Sequence, residues 1–285
     1  MNELYSCRQA IEQCAATHTF AIAHLYKEEK TMDMHIHDCY EIYYSVSGGK
    51  QFLIDNKLYT IEPGNLFIIN QYESHKITQA DKMTHERIVM SIHPEYPKSL
   101  SSAGTDLDAC FSARSETFCH KIALNKEQQK RFLYYINKIT GAKGYACDIY
   151  EQTAFMELLV LINRLALACH ISETPVNCVY NHQVDDILIY LNRHISSPIT
   201  LSQLAGEFFL SESYICRIFK SATGTTINKY ITARRISIAK ALLSDGCSVM
   251  EAYEKSGFSD YSTFFKAFTK AIGISPKKYA QCSIS

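Results

Sequence analysis

The chain is 285 residues long, 47 % hydrophobic and 20 % charged, a balance that excludes wholesale disorder and leaves room for two domains with separate cores. Its 29 Lys and Arg offset 29 Asp and Glu, but unevenly. From Tyr180 onward twelve cations meet eight anions, and before it seventeen meet twenty-one, so the C-terminal part is modestly basic, as a polyanion-binding module would be.

The eleven cysteines are scattered singly from Cys7 to Cys282, with no C-x-x-C pair, and read as reduced thiols of a cytosolic protein. The N-terminus, MNELYSCRQAIEQC, has no basic stretch leading into an apolar one, so no signal peptide is expected. The most apolar segment, Leu158 to Cys169, is short and interrupted by Asn163 and Arg164, which excludes a membrane span there.

Phe20 to about Ile92 reads as strands, rich in Tyr, Ile, Val and Phe. Gly48-Gly49, Asp55-Asn56 and Pro63-Gly64 break it at hairpin-like spacing, which predicts a small barrel or sandwich. Ser99 to Thr105 reads as a loop, and a strand-poor stretch follows as far as Ala123. From Asn125, a predicted cap, the period becomes helical, with Phe132, Tyr135, Ile136 and Ile139 on one stripe. Gly141 to Gly144 breaks this helix. A second, from about Ala146 to Cys169, carries Phe155, Leu158, Leu159, Ile162 and Leu165 on one face. This hairpin, about residues 125–170, serves either as core packing against the barrel or as a dimer seam. A polar segment with Pro175, residues 173–183, reads as the linker between a domain at 1–172 and another at 184–285.

The last third is a repeat. Leu201, Leu204 and Ala205 recur as Val249, Ala252 and Tyr253, and Ser213, Ile215, Arg217, Phe219 and Gly224 as Ser262, Phe264, Lys266, Phe268 and Gly273. The offset slips by one residue between the two sets, as one extra residue in the second turn would require. Thr200 with Gln203 forms a capping-box pattern, Ser211 and Ser248 read as further caps, and Gly257 permits the second turn. These are two helix-turn-helix units joined by a helix from Ile227 to Leu243, ended at Asp245-Gly246. Periodicity turns Ile215, Ile218 and Phe219 inward and leaves Ser213, Cys216, Arg217 and Lys220 outward. The second unit presents Tyr261, Ser262, Phe265 and Lys266. Arg217 suits a guanine edge and Lys220 a phosphate. The bland alternative for each is solvation or phosphate contact.

These residues resemble the DNA-binding domain of the AraC/XylS family of transcription regulators. The match runs through Ser211-x-x-Tyr214-Ile215-x-Arg217-x-Phe219-Lys220, Gly224, and Arg235-x-x-x-Ala239-x-x-Leu242-Leu243. It continues with Gly257-Phe258-x-Asp260-x-Ser262-x-Phe264, Phe268 and Gly273-x-Ser275-Pro276-x-x-Tyr279. Two positions depart from it: Tyr253, where a small residue is usual, and Phe265, where a small polar one is commoner. The resemblance implies recognition helices in successive major grooves about 34 Å apart. It also implies double-stranded DNA and RNA polymerase as partners, a homodimer, no membrane, and a cytoplasmic location.

The N-terminal part resembles the cupin-type sensor domain often joined to such regulators. His35-x-His37-x-x-x-Glu41, Gly48, Pro63 and His75 follow the cupin order. On one uninterrupted strand, residues 35, 37 and 41 would face the barrel interior together. The implied fold is α+β: a cupin-like β-barrel with a helical hairpin, then an all-α domain of two helix-turn-helix units. His35, His37, Glu41, Tyr43 and His75 are the expected effector contacts, with Tyr43 stacking on a sugar ring. The sharper reading of His35, His37, Glu41 and His75 is a transition-metal site; the blander one, with no cofactor, is a hydrogen-bonding pocket. His85, His93 and His120 show no ligand spacing and are expected to pack or be solvated.

No Ser-His-Asp order, phosphate-cradling loop or carboxylate pair stands out, so the chain is not expected to be an enzyme. The expected function is effector-controlled, sequence-specific DNA binding, in an activator, with a sugar as the expected effector. The alternative is a metal-binding cupin enzyme or metal sensor fused to a DNA-binding module.

Overall fold

The computed structural model describes residues 6–28, 34–49, 51–78, 84–112, 118–171 and 182–283. The N-terminal part begins with helix α1 (Cys7–Thr17), capped by the Ser6 side chain and not foreseen from the sequence. Eight strands follow: β1 (Phe20–Glu28), β2 (Tyr40–Ser45), β3 (Gln51–Ile54), β4 (Lys57–Thr60), β5 (Asn65–Ile69), β6 (His75–Thr78), β7 (Thr84–Ile92) and β8 (Lys121–Ala123). They form a five-stranded antiparallel sheet ordered β1-β7-β2-β5-β8 and a three-stranded one ordered β4-β3-β6.

Alternation along the strands explains how the larger sheet is buried on both faces. Ala21, Ala23, Tyr43, Phe67, Ile69 and Val89 turn toward the smaller sheet and α1, meeting Phe52, Ile54 and Tyr59. Ile22, Ile42, Tyr44, Leu66, Ile68 and Met90 turn the other way, onto α4 (Lys126–Thr140) and α5 (Cys147–Ile171). Phe132, Ile136, Ile139, Phe155, Leu158, Leu159 and Ile162 are buried there. The apolar stripes of the helical hairpin therefore serve core packing. Asn125 caps α4 in a full capping box with Gln128, as expected.

Three turn and strand readings need correction. Asp55-Asn56 does close the β3–β4 hairpin, with Asp55 at φ 49°. Gly48-Gly49 and Pro63-Gly64 instead carry the chain from one sheet to the other and back. The two crossings touch: Gly48, at φ 83°, lies where a Cβ would come within 3.0 Å of the Pro63 ring. The stretch read as strand-poor contains β8, which pairs with β5, together with the short helix α3 (Ala109–Ser112), after α2 (Glu95–Leu100). Three residues are too few for a sequence period to reveal.

The expected linker lies almost wholly outside the described residues; α6 (His182–Arg193) already includes its last two positions. Then come α7 (Leu201–Phe208), α8 (Glu212–Thr223), α9 (Ile227–Ser244), α10 (Val249–Lys255), α11 (Tyr261–Ile272) and α12 (Pro276–Ser283). The cap residues register the repeat: Thr200 and Ser248 cap α7 and α10, Ser211 and Asp260 cap α8 and α11. The left-handed turn residues are Phe209 and Gly257, so the extra residue of the second unit falls between Gly257 and Asp260. α9 ends at Asp245 with Gly246 left-handed at φ 85°. Arg235 on α9 donates to the carbonyls of Ile195 (2.9 Å) and Ser197 (2.7 Å), closing the end of α6.

The two parts share an interface. Leu53 and Leu58 of the smaller sheet are buried among Leu188, Ile227 and Tyr230. The Asp55 carboxylate, in the β3–β4 turn, pairs with Arg234 and accepts from Ser74 N at 2.8 Å, while Tyr230 donates to Asp55 O at 3.0 Å. Asp38 pairs with Lys240 and accepts from Tyr279 Oη at 3.0 Å. Tyr72 donates to Ser244 at 2.7 Å. Each buried leucine contributes about 1.5–3 kcal/mol, whereas an ion pair with one partner open to water, as Asp38 is at 55 %, contributes little net. Apolar contact thus holds the interface and the ion pairs fix its register.

Gly257 and Gly206 make opposite predictions. A Cβ on Gly257, at φ 86°, would stand 2.5 Å from Ile195 O and Ser196 Cα, so Gly257→Ala should cost about 2–4 kcal/mol from left-handed strain plus overlap. Gly206 sits exposed in α7 with nothing within 4 Å of a Cβ, and Gly206→Ala should gain about 0.5–1 kcal/mol. Urea unfolding followed by circular dichroism checks both signs.

Candidate nucleic-acid interface and effector site

Burial in the first helix-turn-helix unit follows the period of α8. Ile215 and Phe219 are fully buried against Leu204, while Ser213, Arg217 and Lys220 are exposed and Cys216 is half-buried. The Arg217 guanidinium rests 5.2 Å from the Tyr214 ring centroid, one turn back on the same helix. α8 ends at Gly224, at φ 64°, whose carbonyl accepts from Lys76 of the barrel at 2.7 Å. A cation at the negative end of a helix is favourable there.

On α11, Phe264 and Phe268 are buried, while Tyr261, Ser262, Phe265 and Lys266 are exposed. Phe265 is therefore an outward residue. Tyr253 is accommodated at the edge of the core: its ring packs edge-on against Tyr261 at 5.7 Å, and its hydroxyl donates to Ser259 O at 3.4 Å. Each unit thus presents a short outward row on its second helix, the geometry a major groove accepts.

The barrel site forms differently from the sequence expectation. Residues 35 to 41 are not one strand. His35 makes an isolated bridge to His75, with amide-to-carbonyl distances of 3.2 and 3.0 Å. The chain then bends at Asp38 and Cys39 before β2 begins at Tyr40. The parity argument fails, yet the bend still carries His37 back over Glu41. One ring nitrogen from each of His35, His37 and His75 lies within 4.8 Å of the other two. Glu41 Oε2 is 3.2 Å from His37 Nε2 and 3.8 Å from His75 Nε2, all three side chains being almost fully buried.

Electrostatics divides the cluster. Burial works against a charged His37, but its contacts with Cys39 and Glu41 outweigh it and hold the pKa well above the ordinary imidazole value. Burial also works against the Glu41 carboxylate, yet the His37 hydrogen bond and the surrounding imidazoles bring it down to about 2. Burial and the neighbouring His35 lower His75 to about 3, so that ring is neutral.

Tyr43, the fifth expected effector contact, is directed elsewhere. Its ring packs on Phe52 (5.0 Å) and Phe67 (5.9 Å), and its hydroxyl is 2.7 Å from His85 Nε2. It offers no stacking face to a sugar. His85 and His120 are not idle either: Tyr59 Oη is 2.8 Å from His120 Nδ1, and Glu73 Oε2 is 3.2 Å from His120 Nε2. Sequence spacing gave no sign of this second row, because His120 reaches the barrel beside β8. His93 pairs with His18 at 3.2 Å.

Comparison with known proteins agrees with this architecture. Residues 17–159 match the family model described as the AraC-like ligand binding domain, and residues 204–281 match a helix-turn-helix domain model. The chain is 24 % identical over 265 residues to the melibiose operon regulatory protein of Escherichia coli strain K12, covering 87 % of this chain and 83 % of that one. It is 24 % identical over 257 residues to the transcriptional activator RhaR of Mannheimia succiniciproducens, covering 86 % of each. Among solved structures it is similar to fatty-acid-bound ToxT of Vibrio cholerae, at 16 % identity and a TM-score of 0.40 over 92 % of this chain and 95 % of that one; at that level nothing about ligand or mechanism transfers. Among the described residues no helix is long and apolar enough to cross a membrane. With an N-terminal ligand-binding domain and two helix-turn-helix units, the chain belongs to the AraC family of DNA-binding transcription regulators.

Proposed function

We propose that this regulator is a cytoplasmic homodimer whose hold on DNA is set by a small polar effector bound at His35, His37, Glu41 and His75. The observation that carries this reading is adjacency. His37 precedes Asp38, which grips Lys240 and Tyr279, and His75 lies between Ser74, bonded to Asp55, and Lys76, bonded to the end of α8. A ligand that moves either imidazole moves the backbone of a contact with the DNA-binding helices one residue away. It biases DNA binding if it has different affinities for the gripped and released arrangements. A hydroxyl-bearing effector such as a sugar, and an activating role, follow relatives named for a melibiose operon and as an activator; RNA polymerase is the partner proposed for that role.

The dimer reading rests on the outer side of the helical hairpin. Ile149, Val160 and Leu167 fall on one side of α5 and are 57 %, 40 % and 58 % exposed, and Tyr134 on α4 and Tyr150 on α5 are 60 % exposed each. These exposed apolar side chains on the two helices of the hairpin are what a partner surface there would cover.

Three measurements test the proposal. On a site selected from random duplexes, Arg217→Ala should cost about 1–3 kcal/mol and relax preference at one base pair, whereas Lys220→Ala should weaken all sequences alike and flatten the salt dependence. An unchanged preference in the Arg217 variant would mean that α8 does not read bases there. Asp38→Ala combined with Asp55→Ala should enlarge the radius of gyration in solution scattering and shift DNA affinity severalfold. A larger radius with unchanged affinity would confine the interface to a structural role. Ile149→Glu with Leu167→Glu should convert a dimer to a monomer in sedimentation velocity, and a dimer persisting in that variant would move the seam elsewhere.

A further inference from the structure

We infer that the second helix-turn-helix unit reads the C5-methyl groups of thymine, through an aromatic ledge of Tyr261 and Phe265 on α11 with Tyr253 of α10 behind it. This rests on the reading of α8 and α11 as the helices that meet DNA, and adds what α11 selects. The two positions at which the sequence departs from its family, Tyr253 and Phe265, flank one residue. The Phe265 ring lies 6.3 Å from that of Tyr261, one helical turn away on the same face, and the Tyr253 ring meets Tyr261 edge-on at 5.7 Å. Beneath them Phe264, fully buried, stands 5.8 Å from both Tyr253 and Tyr261.

The ledge is exposed but supported. Tyr261 and Phe265 leave 42 % and 41 % of their surface to solvent, and the Tyr253 hydroxyl is tied to Ser259 O. Rings braced in this way lose little freedom when a ligand covers them. The equivalent positions of α8 are Glu212 and Cys216, so the ledge belongs to the second unit alone.

Its surroundings select the occupant. α11 carries Lys266 and Lys270 and no acidic residue, which suits a polyanion. The adjoining acid, Asp260, is engaged as the helix cap, accepting from Thr263 N at 2.7 Å. Tyr261 opens α11 and Phe265 follows one turn later, in the half of a recognition helix that meets base edges. The Phe265 side chain neither donates nor accepts a hydrogen bond, so it discriminates by apolar contact. On the major-groove edges of the bases, the apolar group is the thymine methyl.

The test uses the full chain and a duplex selected from random sequences. Each thymine is replaced in turn by deoxyuridine, which removes the methyl group and leaves every hydrogen-bonding group in place. At one or two thymines, about one helical turn from the base pair whose preference depends on Arg217, replacement should weaken binding roughly fourfold. Phe265→Ser should bring the thymine-to-uracil affinity ratio at one of them to about one and leave the salt dependence unchanged. Lys266→Ala should keep the ratio and flatten the salt dependence. Tyr253→Ala should lower the ratio and Tyr253→Phe, which keeps the ring, should preserve it; a ratio unmoved by Tyr253→Ala would remove Tyr253 from the ledge. A ratio persisting at every such thymine in Phe265→Ser would overturn the inference. So would a selected duplex in which no thymine of that half responds to the unaltered chain, an outcome that does not depend on the folding of any variant. Selective binding that ignores every uracil sinks this inference alone, while the absence of any preferred duplex sinks the regulator reading with it.

Discussion

A lysine ammonium taken out of water is the constraint on which the arrangement of the two domains depends. Lys240 on α9 is 3 % exposed, and stripping its hydration costs several kcal/mol unless a counter-charge replaces it. Asp38 supplies the charge. Tyr72 and Tyr279, one from each domain, place ring faces 5.5 and 5.3 Å from the ammonium. The loop that bears Asp38 is therefore tied to the DNA-binding helices by an interaction that tolerates few intermediate positions. It is either made, or Lys240 must find water by moving the helix. That is the kind of two-state element through which a ligand acts at a distance.

The DNA-binding half was legible because its determinants are local. Capping residues bond three positions ahead, helical faces repeat within one turn, and each cap named from sequence accepts its expected amide hydrogen. Strand content was legible for the same reason, but strand partners were not. Whether Gly48 turns the chain back on itself or across to a second sheet depends on β7 pairing with β2, some forty residues away. The interface was not legible at all. Nothing near Asp38 announces a residue two hundred positions later, and an exposed Asp and a helical Lys look ordinary in isolation.

The histidine cluster was foreseen through faulty geometry. Alternation on a straight strand predicted the grouping of residues 35, 37 and 41, but the backbone is bridged at 35, bent at 38 and 39, and extended only from 40. What brings the side chains together is the carbonyl each ring leans on: Cys39 O for His37 and Glu73 O for His75. Such ring-to-backbone contacts span only two residues, yet they depend on the fold of the loops and not on residue type. The same holds for Tyr43, correctly placed on the inward face but drawn into the Phe52–Phe67 aromatic cluster by His85.

The one-residue slip between the two helix-turn-helix units reaches beyond packing. Their caps are separated by 48 positions at the first helix and 49 at the second. The outward rows also differ in kind, Ser213, Arg217 and Lys220 on one and Tyr261, Phe265 and Lys266 on the other. No rotation can exchange them. A single chain laid along a duplex is thus an arrow: it has a head and a tail, and its footprint distinguishes upstream from downstream without help from a palindrome.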